Sequence, residues 1–220
     1  MARKENFTLV FRSEKQRVSP RIRQVYLEIT THCNLSCRSC VRQSIAGFRK
    51  CHFTPQLMKR LMPMLERANP ERIVLLGFGE ALCSPHIKEH LAALRGLDTK
   101  LVLVSNASFL SEEMSRHLVC LPLDELYASW DDDIFGEETS IRRGARSDLF
   151  RNKIETLAAI RASSKGRLPV IGLQIVATRA NYRIIAGTLG YGREIGVDQF
   201  IVSNLYPYSE AMTGETLYDA

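Results

Sequence analysis

Val25-Tyr26-Leu27-Glu28-Ile29-Thr30-Thr31-His32-Cys33-Asn34-Leu35-Ser36-Cys37-Arg38-Ser39-Cys40 is the stretch on which the rest of the chain turns. Its first five residues form a short run rich in β-branched and aromatic side chains, which predicts a strand. Three cysteines then fall within eight residues, at C-x3-C-x2-C spacing. A loop leaving a strand with three thiols is suited to metal or redox chemistry, because each thiolate can take one iron of a cubane cluster. Such a cluster keeps one iron without a protein thiolate, an open position of the kind a catalytic metal needs. Two other readings fit the same residues. A structural zinc site would draw a fourth ligand from His32, Cys51 or His52. A closed electron-transfer cluster would need a fourth cysteine at regular spacing, and none is present. The remaining cysteines, Cys51, Cys83 and Cys120, are scattered and read as buried, inert thiols.

Five more apolar runs follow, at Arg72-Leu76, Lys100-Val104, Glu125-Ala128, Val170-Val176 and Gln199-Val202. Helical patterns separate them. Thr54-Pro55 is expected to cap and open one helix, with Leu57, Leu61, Met64 and Leu65 on its apolar side and Pro63 as a kink or break. Ser84-Pro85 opens another, with Ile87, Leu91 and Leu94 as its stripe. Ser111-Glu112-Glu113 puts a cap and two acids where the helix dipole favours them. Phe150, Ile154, Leu157 and Ile160 mark a fourth helix, and Asn181 is expected to cap a fifth. Six βα repeats imply an α/β fold with a parallel sheet and outer helices. The pattern by itself fits a doubly wound sheet and a partial barrel equally. In both, the ligand site lies at the carboxyl ends of the strands. The cysteine loop, Gly79-Glu80, Ser105-Asn106 and Ser129-Trp130-Asp131 all follow strands at that end.

The cysteine spacing, with Cys33-Asn34-Leu35-Ser36-Cys37 as C-N-L-x-C, resembles the signature of the radical S-adenosylmethionine superfamily. That resemblance implies a partial (β/α)6 barrel, and with it a [4Fe–4S] cluster on Cys33, Cys37 and Cys40 and S-adenosylmethionine as the second cofactor. Gly79 and Glu80 are similar to the family's G-G-E motif. Glycine permits close backbone approach, and the carboxylate can accept from the cofactor's ammonium. Ser129 and Asp131 resemble its S-x-D segment, and Asn106 stands where relatives often have Thr-Asn-Gly. Arg142, in Ile141-Arg142-Arg143-Gly144-Ala145, fits the arginine that pairs with the cofactor's carboxylate. Ser39 departs from the family, which often has an apolar residue there against the adenine. Ala81 replaces the usual proline after the glutamate.

Further similarity, in Cys40-Val41-Arg42-Gln43-Ser44, Gly77-Phe78-Gly79-Glu80 and Val202-Met212, is to the radical maturases associated with tungsten-cofactor aldehyde oxidoreductases. It implies reductive cleavage of S-adenosylmethionine to a 5′-deoxyadenosyl radical. The expected substrate is a protein, a peptide or a tungsten or molybdenum pterin cofactor precursor, and the expected electron donor is of the ferredoxin or flavodoxin kind. Asn204 and Tyr206, beyond the sixth strand, are candidate substrate contacts. No residue is assigned as a catalytic acid or base.

Charge and composition narrow the alternatives. The chain has 220 residues, 45% apolar and 25% charged, with a formal net charge of +6, which is ordinary for a soluble globular domain. Basic residues crowd positions 1–23, read as an N-terminal arm ahead of a core domain over 24–207. Residues 208–220 read as an extension and the start of a further, cysteine-rich domain such as relatives carry. The basic arm motivates an RNA-modifying alternative, but aromatic interleaving is lacking, so nucleic acid is not the expected partner. A non-enzymatic iron–sulfur or zinc-binding module is the other alternative. Apolar runs are too short for a transmembrane helix, and Met1–Asn6 leads into no apolar signal region, so a cytoplasmic location is expected.

Overall fold

The computed structural model describes residues 22–136, 141–164 and 167–218. The basic arm read at 1–23 therefore lies almost wholly outside the described residues. Six strands, β1 (Gln24–Leu27), β2 (Arg72–Leu75), β3 (Lys100–Ser105), β4 (Glu125–Ser129), β5 (Val170–Ala177) and β6 (Gln199–Asn204), form one sheet. Every neighbouring pair is parallel, and the spatial order is β1-β2-β3-β4-β5-β6. A doubly wound sheet reverses its strand order at a switch point. No reversal occurs here, which settles the ambiguity left by the pattern in favour of the partial barrel. β1 and β6 remain as edges, so the barrel is open.

The period of two along each strand sorts side chains between two layers. Ile73, Leu75, Leu101, Leu103, Leu126, Ala128, Ile171 and Leu173 join the main core with the helices. The opposite phase, Val74, Val102 and Tyr127, forms a separate buried cluster with Val104 beside it. Tyr127 stands opposite Gly172 in the β4–β5 register. A Cβ on that glycine would lie 2.3 Å from the ring. The Tyr127 hydroxyl lies 2.5 Å from Gln199 Oε1 and 3.1 Å from Glu125 Oε2, while Arg72 pairs with Glu125 at 2.5 Å. This polar layer ties β2, β4 and β6 together below the strands' carboxyl ends.

The helices are α1 (Pro55–Ala68), α2 (Ile87–Arg95), α3 (Glu112–Cys120), α4 (Ser147–Ser163), α5 (Ile185–Glu194) and a short α6 (Glu210–Thr213). Thr54 caps α1 through Leu57 N, and Ser111 caps α3 through Met114 N. The expected break at Pro63 does not occur. Pro63 is exposed, so the carbonyl deprived of its helical donor is left on the wet face, where water can serve it. The apolar side of α1 also differs from the reading. Met58 and Leu65 are buried, with Leu61 and Met62 packed beside them, whereas Leu57 and Met64 are exposed. α2 buries Ile87, Leu91 and Leu94 as expected, together with His90. Asn181 does not cap α5, which begins four residues later. Its buried amide instead donates to the carbonyls of Asp131 and Val176, both at 2.8 Å. The segment after β6 returns over the barrel mouth, where Arg179 N donates to the Glu215 carbonyl and Tyr218 OH to that of Leu205. Among the described residues no helix is long and apolar enough to cross a membrane.

Candidate active site

The loops at the carboxyl ends of β1 to β4 are stitched to one another by backbone. Cysteine-loop amides at Ser36 and Arg38 donate to the carbonyls of Arg143 and Ile141, at 3.1 and 2.8 Å. Glu80 N donates to the His32 carbonyl at 2.7 Å. Glu28, a residue the sequence reading passed over, accepts from Phe78 N at 2.5 Å and Gly79 N at 3.1 Å. These ties draw all nine expected residues, Cys33, Cys37, Cys40, Gly79, Glu80, Asn106, Ser129, Asp131 and Arg142, around one cavity of about 220 Å³. Leu76, Val104 and Val176 complete its apolar wall.

Gly79 is needed for a reason other than ligand approach. A Cβ there would lie 2.0 Å from the Thr30 carbonyl oxygen and 2.8 Å from that of His32. The glycine lets the second loop press against the backbone that opens the cysteine loop. Glu80 is 4% exposed, and its carboxylate already accepts from Ser105 Oγ (2.7 Å), Asn106 N (2.6 Å) and Leu82 N (3.0 Å). A carboxylate offers about four acceptor sites, so room for one further donor remains. Burial raises its pKa, and these three donors oppose the shift. Asn106 continues the chain of contacts, with Nδ2 3.1 Å from Asn34 Oδ1 and 3.7 Å from Cys33 Sγ. The next residue, Ala107, adopts φ +60°, the left-handed conformation glycine favours.

Asp131 accepts from Val176 N at 2.8 Å and pairs with Arg142 at 2.9 Å. Asp132, which the sequence did not single out, accepts from Ile141 N and Arg142 N at 2.8 and 2.7 Å and so sets the arginine's direction. Arg143, by contrast, is exposed. Burial works against the charge on Arg142, but Asp131, Cys37 and Asp132 outweigh it and raise its pKa. Its Nε is buried with no partner among the described residues. Burial pushes the Cys37 thiol up to about 11, relieved in part by Arg142 and reinforced by Cys33, Asp131 and Cys40.

This donor set fits the cluster expected of it. Three soft thiols line one cavity beside a cation with a spare N–H, and a metal's charge is what would ionise a thiol held so high. Among the described residues no three His, Cys, Asp or Glu converge on a single-ion site. A cluster with a separate iron for each thiolate asks for wider spacing than one ion does. His32 and His52, possible fourth zinc ligands, stack on each other at 4.1 Å and do not line the cavity. Cys51 is exposed and also lies outside it. Ser39 lines both this cavity and an adjoining one of about 330 Å³, walled by Ile141, Thr178, Leu205 and Met212. Asn204 and Tyr206 stay exposed at the rim, while Leu205 between them turns inward.

Solved structures with this architecture include *Streptococcus suis* SuiB bound to S-adenosylmethionine, with a TM-score of 0.71 and 17% identity over 85% of this chain and 42% of that one. SuiB bound to the precursor peptide SuiA is similar at 0.70, with 17% identity over 91% of this chain and 43% of that one. Native anSMEcpe with bound AdoMet gives 0.62, with 16% identity over 86% of this chain and 56% of that one. This chain shares the fold of these structures, a partial (β/α)6 barrel. In sequence it is 25% identical, over 199 residues and 90% of its length, to the tungsten-containing aldehyde ferredoxin oxidoreductase cofactor-modifying protein of *Pyrococcus furiosus*. The chain spans 56% of that relative's length. No protein-family model matches it. The resemblance read from the motifs thus extends both to the fold and to a curated relative of the expected subgroup.

Proposed function

We propose that Cys33, Cys37 and Cys40 hold a [4Fe–4S] cluster, that S-adenosylmethionine binds beside it, and that the chain cleaves this cofactor reductively. The cleavage would serve maturation of a protein, a peptide or a tungsten or molybdenum pterin cofactor. One observation carries the reading: three thiols, a carboxylate with an acceptor site to spare and a buried arginine with a free N–H line the same cavity. The similarity to the *Pyrococcus* cofactor-modifying protein supports a cofactor target, and the SuiB–SuiA complex supports a peptide one.

When bound, the cluster would supply one electron from a ferredoxin- or flavodoxin-like donor to break a C–S bond of the sulfonium, leaving methionine and a 5′-deoxyadenosyl radical that takes hydrogen from substrate. The residues of this chain do the positioning. Arg142 Nε is a donor for a carboxylate, and Glu80 is an acceptor for an ammonium. Ser129 supplies a hydroxyl near them. Asn106 reaches Cys33 Sγ with its amide Nδ2, 3.7 Å away. The apolar edges of Ile141 and Leu205, past Ser39, suit an adenine ring and keep water from a radical.

Anaerobic reconstitution with iron and sulfide, reduction, and assay for 5′-deoxyadenosine test the proposal. The expected result is deoxyadenosine formation that depends on the cluster. A fully loaded cluster that releases none would overturn it. Cys37→Ala is expected to lose the cluster, whereas Cys120→Ala, on the exposed end of α3, is expected to keep it.

A further inference from the structure

Asn106 also lines a second cavity of about 220 Å³ that none of the proposed chemistry uses. Around it stand Asn34, Ser108, Trp130, Phe150 and Lys153. Trp130 is 1% exposed and stacks on Phe150 with ring centroids 4.3 Å apart. Its indole N–H is buried without an acceptor among the described residues. Lys153 donates to the Ser108 carbonyl. Partial burial lowers its pKa, with no carboxylate contributing. Arg146, the second cation on the lining, is already held by Asp148 at 2.6 Å.

Trp130, with its unpartnered indole N–H, and the cationic Lys153 therefore line one small cavity whose lining holds no carboxylate. Buried donors are almost always satisfied in folded proteins. A water molecule would serve the indole but would leave the ammonium uncompensated. An oxyanion serves both, since its oxygens are acceptors and its charge offsets that of the lysine. We infer that this cavity binds a small oxyanion, a carboxylate or phosphate group, between the Lys153 ammonium and the Trp130 indole N–H. The bound group would sit one side chain, Asn106, away from Cys33.

Trp130 is the chain's single tryptophan, so the site carries its own reporter. The full chain, with and without reconstituted cluster, is titrated with inorganic phosphate and separately with malonate. Binding is followed by calorimetry and by tryptophan fluorescence. Saturable binding of at least one probe is expected, with a fluorescence change, and the preferred probe distinguishes phosphate from carboxylate. Lys153→Met and Lys153→Gln should each weaken binding at least tenfold, while Lys153→Arg stays within about threefold. Melting curves identify which neutral variant is folded and therefore read. Absence of saturable binding for both probes would overturn the site. So would binding that survives in the folded Lys153 variants but disappears in Arg142→Met, because the anion would then belong to the cysteine cavity.

Discussion

Arg142 holds a guanidinium nitrogen 2.9 Å from the Asp131 carboxylate, and both side chains are almost wholly removed from solvent. The two residues flank the loop between β4 and α4, whose closure depends on Asp132 accepting from the backbone of Ile141 and Arg142. The pair thus fixes the arginine, whose Nε stays buried without a partner among the described residues.

Breaking a buried ion pair from one side strands a charge, at a cost of about 3–5 kcal/mol. Arg142→Met is expected to destabilise the chain by that order, read as a lowered urea midpoint at unchanged slope. Asp131→Asn/Arg142→Met should recover much of the loss, because neither charge is then left alone. A single variant as stable as the wild type would show that the pair contributes nothing to folding.

Gly79→Ala asks for a Cβ 2.0 Å from the Thr30 carbonyl, closer than atoms can approach. The second loop must back away from the cysteine loop. Iron content after reconstitution should fall severalfold, and stability by about 1–3 kcal/mol. Gly47→Ala is the control: φ is +66° there but nothing lies within 4 Å. It should cost about 1–2 kcal/mol of backbone strain with cluster content retained.

Within the barrel, Gly172→Ala should destabilise by about 1–3 kcal/mol through overpacking against Tyr127. Tyr127→Leu in the same chain should relieve the clash, so that the double variant is more stable than the two single losses predict. Strict additivity in denaturant titrations would count against the contact.

His90 is fully buried, with Nε2 2.8 Å from the Phe53 carbonyl. Burial lowers its pKa from the ordinary 6.5. As pH falls below 6.5, the unfolded chain takes up a proton that the folded chain refuses, so stability is lost on acidification. His90→Gln should flatten the stability slope between about pH 7 and pH 5. An unchanged slope, measured by denaturant midpoints across that range, would remove His90 as its source.

How far the site was readable depends on the range of the interaction. The cysteine loop was legible because its three cysteines lie within eight residues. Thr54 and Ser111 were legible as caps because a cap acts on the amide three residues on. Glu28 and Asp132 were not. Their carboxylates serve backbone amides on other loops or across a loop, and no local pattern distinguishes them from solvated acids. The stripe on α1 was misread by one position at Met58 because apolar residues surround it on several faces, and only packing selects among them. Asn181 carried a real capping signal, but the side-chain oxygen that would cap α5 accepts from Thr178 N instead, while Nδ2 donates to the carbonyls of Asp131 and Val176.

By itself the sequence determined the βα alternation, the cysteine triplet and the end of the sheet where the candidate site residues gather, because strand and helix periods and cysteine spacing are local properties. Tertiary structure alone decided that the strand order runs without reversal. It also decided that Gly79 is required by the Thr30 carbonyl, that Asp131 and Asp132 hold Arg142 in place, and that Trp130 and Lys153 line a common cavity. Each of these depends on residues distant in the chain being pressed together, and close packing exists only once the barrel has formed.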